Sequence, residues 1–276
     1  MAPSSARQIG TVVKYELLKY LRGRRLLAIV LLTIIISSIF LIVPPAIGTQ
    51  YEKDPKEFIG QMLGFLGILS ILSATFFGAD AIVSEFESKT GFLLFPNPIR
   101  KEVIFGGKFI ASALVSVGTI ALYYAIAITS VRVIDGSIPA NTGLSFAYAL
   151  AYLFAILAIS YLFSAIMSSS VYSLILTFFS FFLILPIVDA VGSIAKFKPW
   201  FSITFAAGIA TYIFDIPYPT DKAFTTTTGP QAASGASQTL SLTQYYPEVQ
   251  LSLYVMGAYF IVALILSVLL MRRRQM

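Results

Sequence analysis

"LFSAIMSSSVYSLILTFF", Leu162–Phe179, lies inside an uncharged run that extends from Gly136 to Val188. A helix needs about 20 apolar residues to cross the hydrocarbon core of a bilayer, so this run is far too long for one crossing. The serines Ser168–Ser170 divide it. Short hydroxyl side chains hydrogen-bond their own backbone and favour turns over helix interiors. The flanking pieces, near 145–167 and 171–191, are each of spanning length. The run therefore reads as a tight helical hairpin, and this sets the number of spans.

Outward from the hairpin the same pattern repeats. Leu26–Val43, Phe58–Ala79, Phe109–Val131 and Val249–Met271 are also uncharged. Of the 276 residues, 57% are hydrophobic and only 12% charged, against about 25% charged in soluble domains; mean hydropathy is +0.84. The expected fold is an all-α integral membrane protein with six transmembrane helices, near 26–44, 59–80, 107–131, 145–167, 171–191 and 250–271. The chain has no cysteine and no histidine. Disulfides, Cys/His metal sites and histidine acid–base chemistry are excluded, and no metal site is expected.

The basic residues set the topology. Arg7, Lys14, Lys19, Arg22, Arg24, Arg25, Lys89, Arg100, Lys101, Lys108 and Arg272–Arg274 fall on one side of a six-span arrangement, 13 in all. Lys53, Lys56, Arg132, Lys196, Lys198 and Lys222 fall on the other, 6 in all. Cytoplasmic loops carry the Lys/Arg excess, so both termini are expected in the cytoplasm of a multi-pass cell-membrane protein. A pI near 9.4 is then a topology signal and implies no nucleic acid. The first apolar run is longer than the roughly 7–15 residues of a signal peptide, and it is expected to stay uncleaved.

The whole chain, 1–276, reads as one membrane domain. Residues 6–25 form an amphipathic interfacial helix: Ile9, Val12, Val13, Leu17, Tyr20 and Leu21 share a face, with Lys14, Arg22 and Arg25 directed at lipid headgroups. Spans 1–5 occupy 26–191, an outer loop 192–249, and span 6 residues 250–271. Pro44–Pro45 should end the first span. Within the outer loop, Pro199–Phe214 is apolar but too short to cross, and suits a re-entrant or interfacial helix; Thr225–Thr239 reads as an exposed loop or short linker.

One segment departs from the apolar character of the chain. "SEFESKTGFLLFPNPIRKE", Ser84–Glu102, lies between spans 2 and 3. A helix should continue past Glu85, Phe92–Phe95 offers apolar anchors, and Pro96–Pro98 forces a stop and a turn. A charged bend with apolar anchors suits docking of a soluble partner, although charge runs are usually solvated faces. Glu85 and Glu87 point about 200° apart on a helix. Glu85 is placed to pair with Lys89 within the helix, which leaves Glu87 for a contact across an interface. No P-loop and no hydrolase motif is present.

These residues resemble the signature of type-2 permeases of ATP-binding-cassette exporters: acid, acid, Gly/Thr, Leu-Leu, Pro-x-x-Arg, then Gly-Lys at the start of span 3. The matching residues are Glu85, Glu87, Thr90, Gly91, Leu93, Leu94, Pro98, Arg100, Gly107 and Lys108. Thr90–Gly91 reverses the commoner order, and Pro98–Arg100 is one residue short. The resemblance implies a dimer with a second permease copy or homologue, and a separate ATPase subunit that carries the ATP and magnesium; this chain needs no cofactor. It also implies a coupling helix between spans 2 and 3 that docks through Glu85, Glu87, Lys89, Thr90 and Arg100. Further, it implies a path along spans 2 and 5, where Phe65, Phe76, Phe77, Phe178, Phe179, Phe181 and Phe182 stand; such a path would suit an amphipathic or lipid-like substrate. A membrane anchoring or assembly subunit, and a channel or ion-coupled carrier, stay open as alternatives.

Overall fold

The computed structural model describes residues 5–48, 50–52, 54–87, 101–134, 136–228 and 238–273, with 224–228 and 238–242 described by backbone alone. Among these residues six helices have the length and apolarity to cross a membrane: Arg24–Ala46, Pro55–Glu87, Lys101–Ile134, Thr142–Ile166, Ser170–Ala195 and Val249–Arg273, spans 1 to 6. Met167–Ser169 separates spans 4 and 5, where the serine hairpin was expected.

The bundle is built around spans 2, 3 and 4. Tyr123, Tyr152 and Tyr161 are fully buried between them, together with Leu69, Ile120, Leu153 and Leu157. Span 6 packs along span 4. Spans 1 and 5 leave long apolar faces exposed, such as Leu31, Ile35 and Ile39 on the first and Val171, Ile175 and Phe179 on the second. Several buried hydroxyls donate to carbonyls one turn back, as in Thr33 to Ile29 and Ser37 to Thr33, both 2.8 Å. This removes the cost of an unpaired polar group in an apolar medium.

Three local expectations need correction. Pro44 and Pro45 do not end span 1. They lie within its last turn, and the helix closes after them through Ile47 N–H to Val43 O (3.1 Å) and a turn at Gly48, whose φ is +77°. Near a helix end a proline forfeits one hydrogen bond and need not break the helix. The expected linker Thr225–Thr239 enters two strands, β1 (Lys222–Thr228) and β2 (Gln238–Gln244), paired antiparallel from Lys222↔Gln244 to Thr228↔Gln238. The β-branched run Thr225–Thr228 favours extended backbone. Span 5 runs on to Ala195, capped by Lys196 in the left-handed region (φ 58°). The expected end near residue 191 is thus passed, and Asp189 lies inside the helix.

The apolar stretch after span 5 folds into two short helices, Ile203–Ala207 and Ile209–Tyr212, interrupted at Gly208. They are too short to cross a bilayer and pack against spans 2, 4, 5 and 6. Ser145 donates to Ala210 O (2.5 Å), and Asn141 Nδ2 to Ile213 O (2.7 Å). Span 2 has a comparable interruption at Gly64–Phe65, where Tyr123 donates to Met62 O. Irregular backbone survives at such depth where protein side chains satisfy it.

Candidate functional site

The polar groups gather at the end of the bundle that holds both described termini. Helix α1, Ser5–Arg22, is broken from span 1 at Gly23. Its apolar stripe packs along span 3, so α1 is a fixed part of the bundle and more than a helix resting on lipid. The contact is close because Gly107 has no side chain: a Cβ there would lie 2.6 Å from Val12 Cβ. Further along, Tyr20 is buried, bonded to Ser112 Oγ at 3.0 Å, and stacked edge-on against Phe77. Burial pushes the Tyr20 hydroxyl pKa well above the ordinary tyrosine value, so it remains a neutral donor.

Lys108 is the centre of this end. Its side chain is 4% exposed, and Nζ lies 2.5 Å from Glu16 Oε1 and 2.7 Å from Glu85 Oε1. Lys19 approaches the other Glu16 oxygen at 3.5 Å. One buried cation thus joins α1, the end of span 2 and the start of span 3. Arg25 pairs with Asp80 and also donates to Phe76 O (3.3 Å), joining spans 1 and 2. Arg272 Nε meets Glu102 Oε1 at 2.7 Å, joining spans 6 and 3.

The turn leading into Val83–Glu87 is braced from span 4, where Ser164 Oγ accepts from Ile82 N–H and Val83 N–H, both at 3.0 Å. Glu87 accepts from Ser170 N–H (2.9 Å) and Ser169 Oγ–H (3.1 Å), and so caps the start of span 5. The two acids singled out in the sequence are therefore both engaged within their own chain, Glu85 by Lys108 and Glu87 by span 5. Lys89, Thr90 and Arg100 lie outside the described residues, as does the expected Glu85–Lys89 pairing. Sequence reasoning missed Glu16, although a signal existed: it is the only acid before Glu52. The role of Ser164 left no signal, because a serine within an apolar span looks like any other.

The phenylalanines divide by exposure. Phe77 and Phe181 are enclosed by their own chain and offer no surface to a path in this conformation, while Phe65, Phe179 and Phe182 are exposed. Phe76 and Phe178 are half-buried, and Phe178 stacks on Phe182 at 4.9 Å between ring centres. At the opposite end, Lys198 Nζ lies between Asp221 (3.2 Å) and Glu248 (3.3 Å), beside a recess of 480 Å³ also lined by Tyr218 and Tyr246. Among the described residues no three acids meet as metal ligands.

The sequence matches the family described as ABC-2 family transporter protein over residues 11–276. The chain belongs to the ABC-2 transporter family. A search of curated proteins finds no match. ABC-2 membrane proteins are the transmembrane component of ATP-binding-cassette transporters and not the ATPase itself. The chain is thus a multi-pass membrane permease of that class, with an ATPase partner and membrane components that are typically dimeric. The ion pairs at this end link helix α1 with the ends of spans 1, 2, 3 and 6.

Proposed function

We propose that this permease is the membrane subunit of an exporter driven by ATP hydrolysis on a separate subunit, that it works as a pair with a second copy or a homologue, and that it lies in the cell membrane with both termini cytoplasmic. ATP and magnesium belong to the partner. The segment between spans 2 and 3 docks on the ATPase through Lys89, Thr90 and Arg100, with Glu85 and Glu87 at its root. The exposed Phe65, Phe179 and Phe182 are available to a path or to the second copy. The observation that carries this reading is the family match over residues 11–276, joined to the charged Ser84–Glu102 segment. The 13-to-6 division of Lys and Arg supports the orientation.

Two measurements test it. The chain carries no cysteine, so single cysteines can replace the exposed Arg7 and Asp215. A membrane-impermeant thiol reagent on intact cells is expected to label position 215 and spare position 7; the reverse pattern rejects the orientation. In the second, tagged permease is isolated from its membranes with its ATPase. Changing Lys89, Thr90 and Arg100 together to alanine is expected to weaken association by about 2 kcal/mol or more, the cost of truncating a buried charge partner. Wild-type association and hydrolysis in that variant would remove the segment from the interface.

A further inference from the structure

Span 5 is the most exposed of the six spans. Val171, Tyr172, Ile175 and Phe179 on its first turns are exposed, while its other side packs against spans 2 and 4. Polar ties add to that packing. Both oxygens of Glu87 are taken at the start of span 5, by Ser170 N–H and by Ser169 Oγ–H just before it, and Ser173 Oγ donates to Ala79 O in span 2. A carboxylate at a helix N-terminus satisfies orphan N–H groups and favours the positive end of the helix dipole. Further along, Ser180–Ile184 is a π turn, and Pro186 follows after one intervening residue. Both interrupt the regular hydrogen-bond ladder, and such interruptions are where helices bend. Beyond them, Asp189 Oδ2 accepts from Thr204 in the short helix Ile203–Ala207 at 2.6 Å. Thr204 is held in turn by Ser202 at 2.9 Å.

The helix thus has two halves with an interruption between them: the first is bonded to Glu87 and to Ala79 of span 2, the second to Thr204 of the short helix. We propose that Glu87 is a positioning residue that carries movement of the Val83–Glu87 turn into the first half of span 5, and that span 5 passes it across the Ser180–Pro186 interruption to the short helices through Asp189 and Thr204. This rests on the transporter reading above and alters one part of it. Glu87 is turned toward its own span 5, away from an ATPase-facing role, and serves to link docking to the far end of the bundle.

The test uses the permease–ATPase complex isolated with the tagged chain. A fluorophore is placed on a cysteine at Tyr172 in span 5, or at Ile110 in span 3 as a reference; both side chains are exposed. In the wild type, ATP is expected to change the signal at both positions. In Glu87→Ala the ATPase is expected to co-purify at wild-type amounts and the signal at 110 to persist. The ATP-driven change at 172 is expected to fall roughly fivefold, in keeping with the loss of a helix cap. Ser169→Ala removes one of the two hydrogen bonds and leaves Glu87 in place, so the fall should be smaller, roughly twofold. This second variant keeps the test decisive should Glu87→Ala assemble poorly. An unchanged response at 172 in both variants overturns the proposal, as does loss of the ATPase from Glu87→Ala complexes, which would return Glu87 to the docking surface. A wild-type chain that brings down no ATPase, or shows no ATP response at either position, rejects the transporter reading itself and the proposal with it.

Discussion

Lys108→Met is expected to destabilise the folded chain by about 3–5 kcal/mol, the range for removing one partner of a buried ion pair. The reason is the charge left behind. Lys108 is 4% exposed, while Glu16 and Glu85, at 13% and 17%, both point at it. Without the ammonium, two carboxylates face each other in a poorly hydrated site and repel. The apolar methionine fits the space and satisfies neither. Thermal unfolding of the purified chain in detergent, followed by helix content, measures the loss. The triple variant Lys108→Met, Glu16→Gln, Glu85→Gln separates charge from packing. Replacing a whole buried ionic cluster with neutral groups is often close to neutral, so much of the lost stability should return. A single variant that unfolds with the wild type would show that the cluster is hydrated and contributes nothing to stability.

Gly107→Val carries the second large effect, and its neighbour supplies the control. An added Cβ at Gly107 would sit 2.6 Å from both Val12 Cβ and Cγ1, and 3.4 Å from Ile9 O. Cβ is fixed to the backbone and cannot rotate away, so helix α1 has to move. Overpacking of this kind costs about 1–3 kcal/mol. Here it also draws Glu16 away from Lys108, which adds to the loss. Val12→Ala should not rescue the variant, because its Cβ remains. Val12→Gly should rescue it in part, less the roughly 1 kcal/mol that glycine costs inside a helix. Gly106→Val is expected to be near neutral, since nothing lies within 4 Å of a Cβ built there. Equal effects at 106 and 107 would rule out the close crossing of α1 over span 3.

The two substitutions test different links in one chain of cause. Gly107 lets α1 approach span 3, and the approach brings Glu16 to Lys108. The ion cluster then ties the end of span 2, through Glu85, to the same point. A mobile helix lying in the headgroups could not hold Glu16 in a site so poorly exposed. The break at Gly23 leaves α1 free to take a direction different from span 1, and the packing against span 3 selects that direction.

What the sequence determined by itself was the part set by solvent. Uncharged runs of spanning length must be helical in a bilayer, because no water is present to satisfy the backbone; five such runs, one of them divided at Ser168–Ser170, yield six spans in the structure. The failure of Pro199–Phe214 to cross was legible from its length alone. Tertiary structure alone decided which charges meet. Glu85 and Lys108 are 23 residues apart, and Glu16 and Lys108 are 92 apart; local spacing rules reach only three or four residues along a helix. From such rules Glu87 looked free for a partner, whereas the fold brings the start of span 5 to it from 82 and 83 residues away. Phe77 and Phe181 were not separable by sequence from the exposed Phe179 and Phe182. In a membrane helix apolar residues cover every face, so periodicity no longer distinguishes the side that packs from the side that meets lipid, and only the packed bundle does.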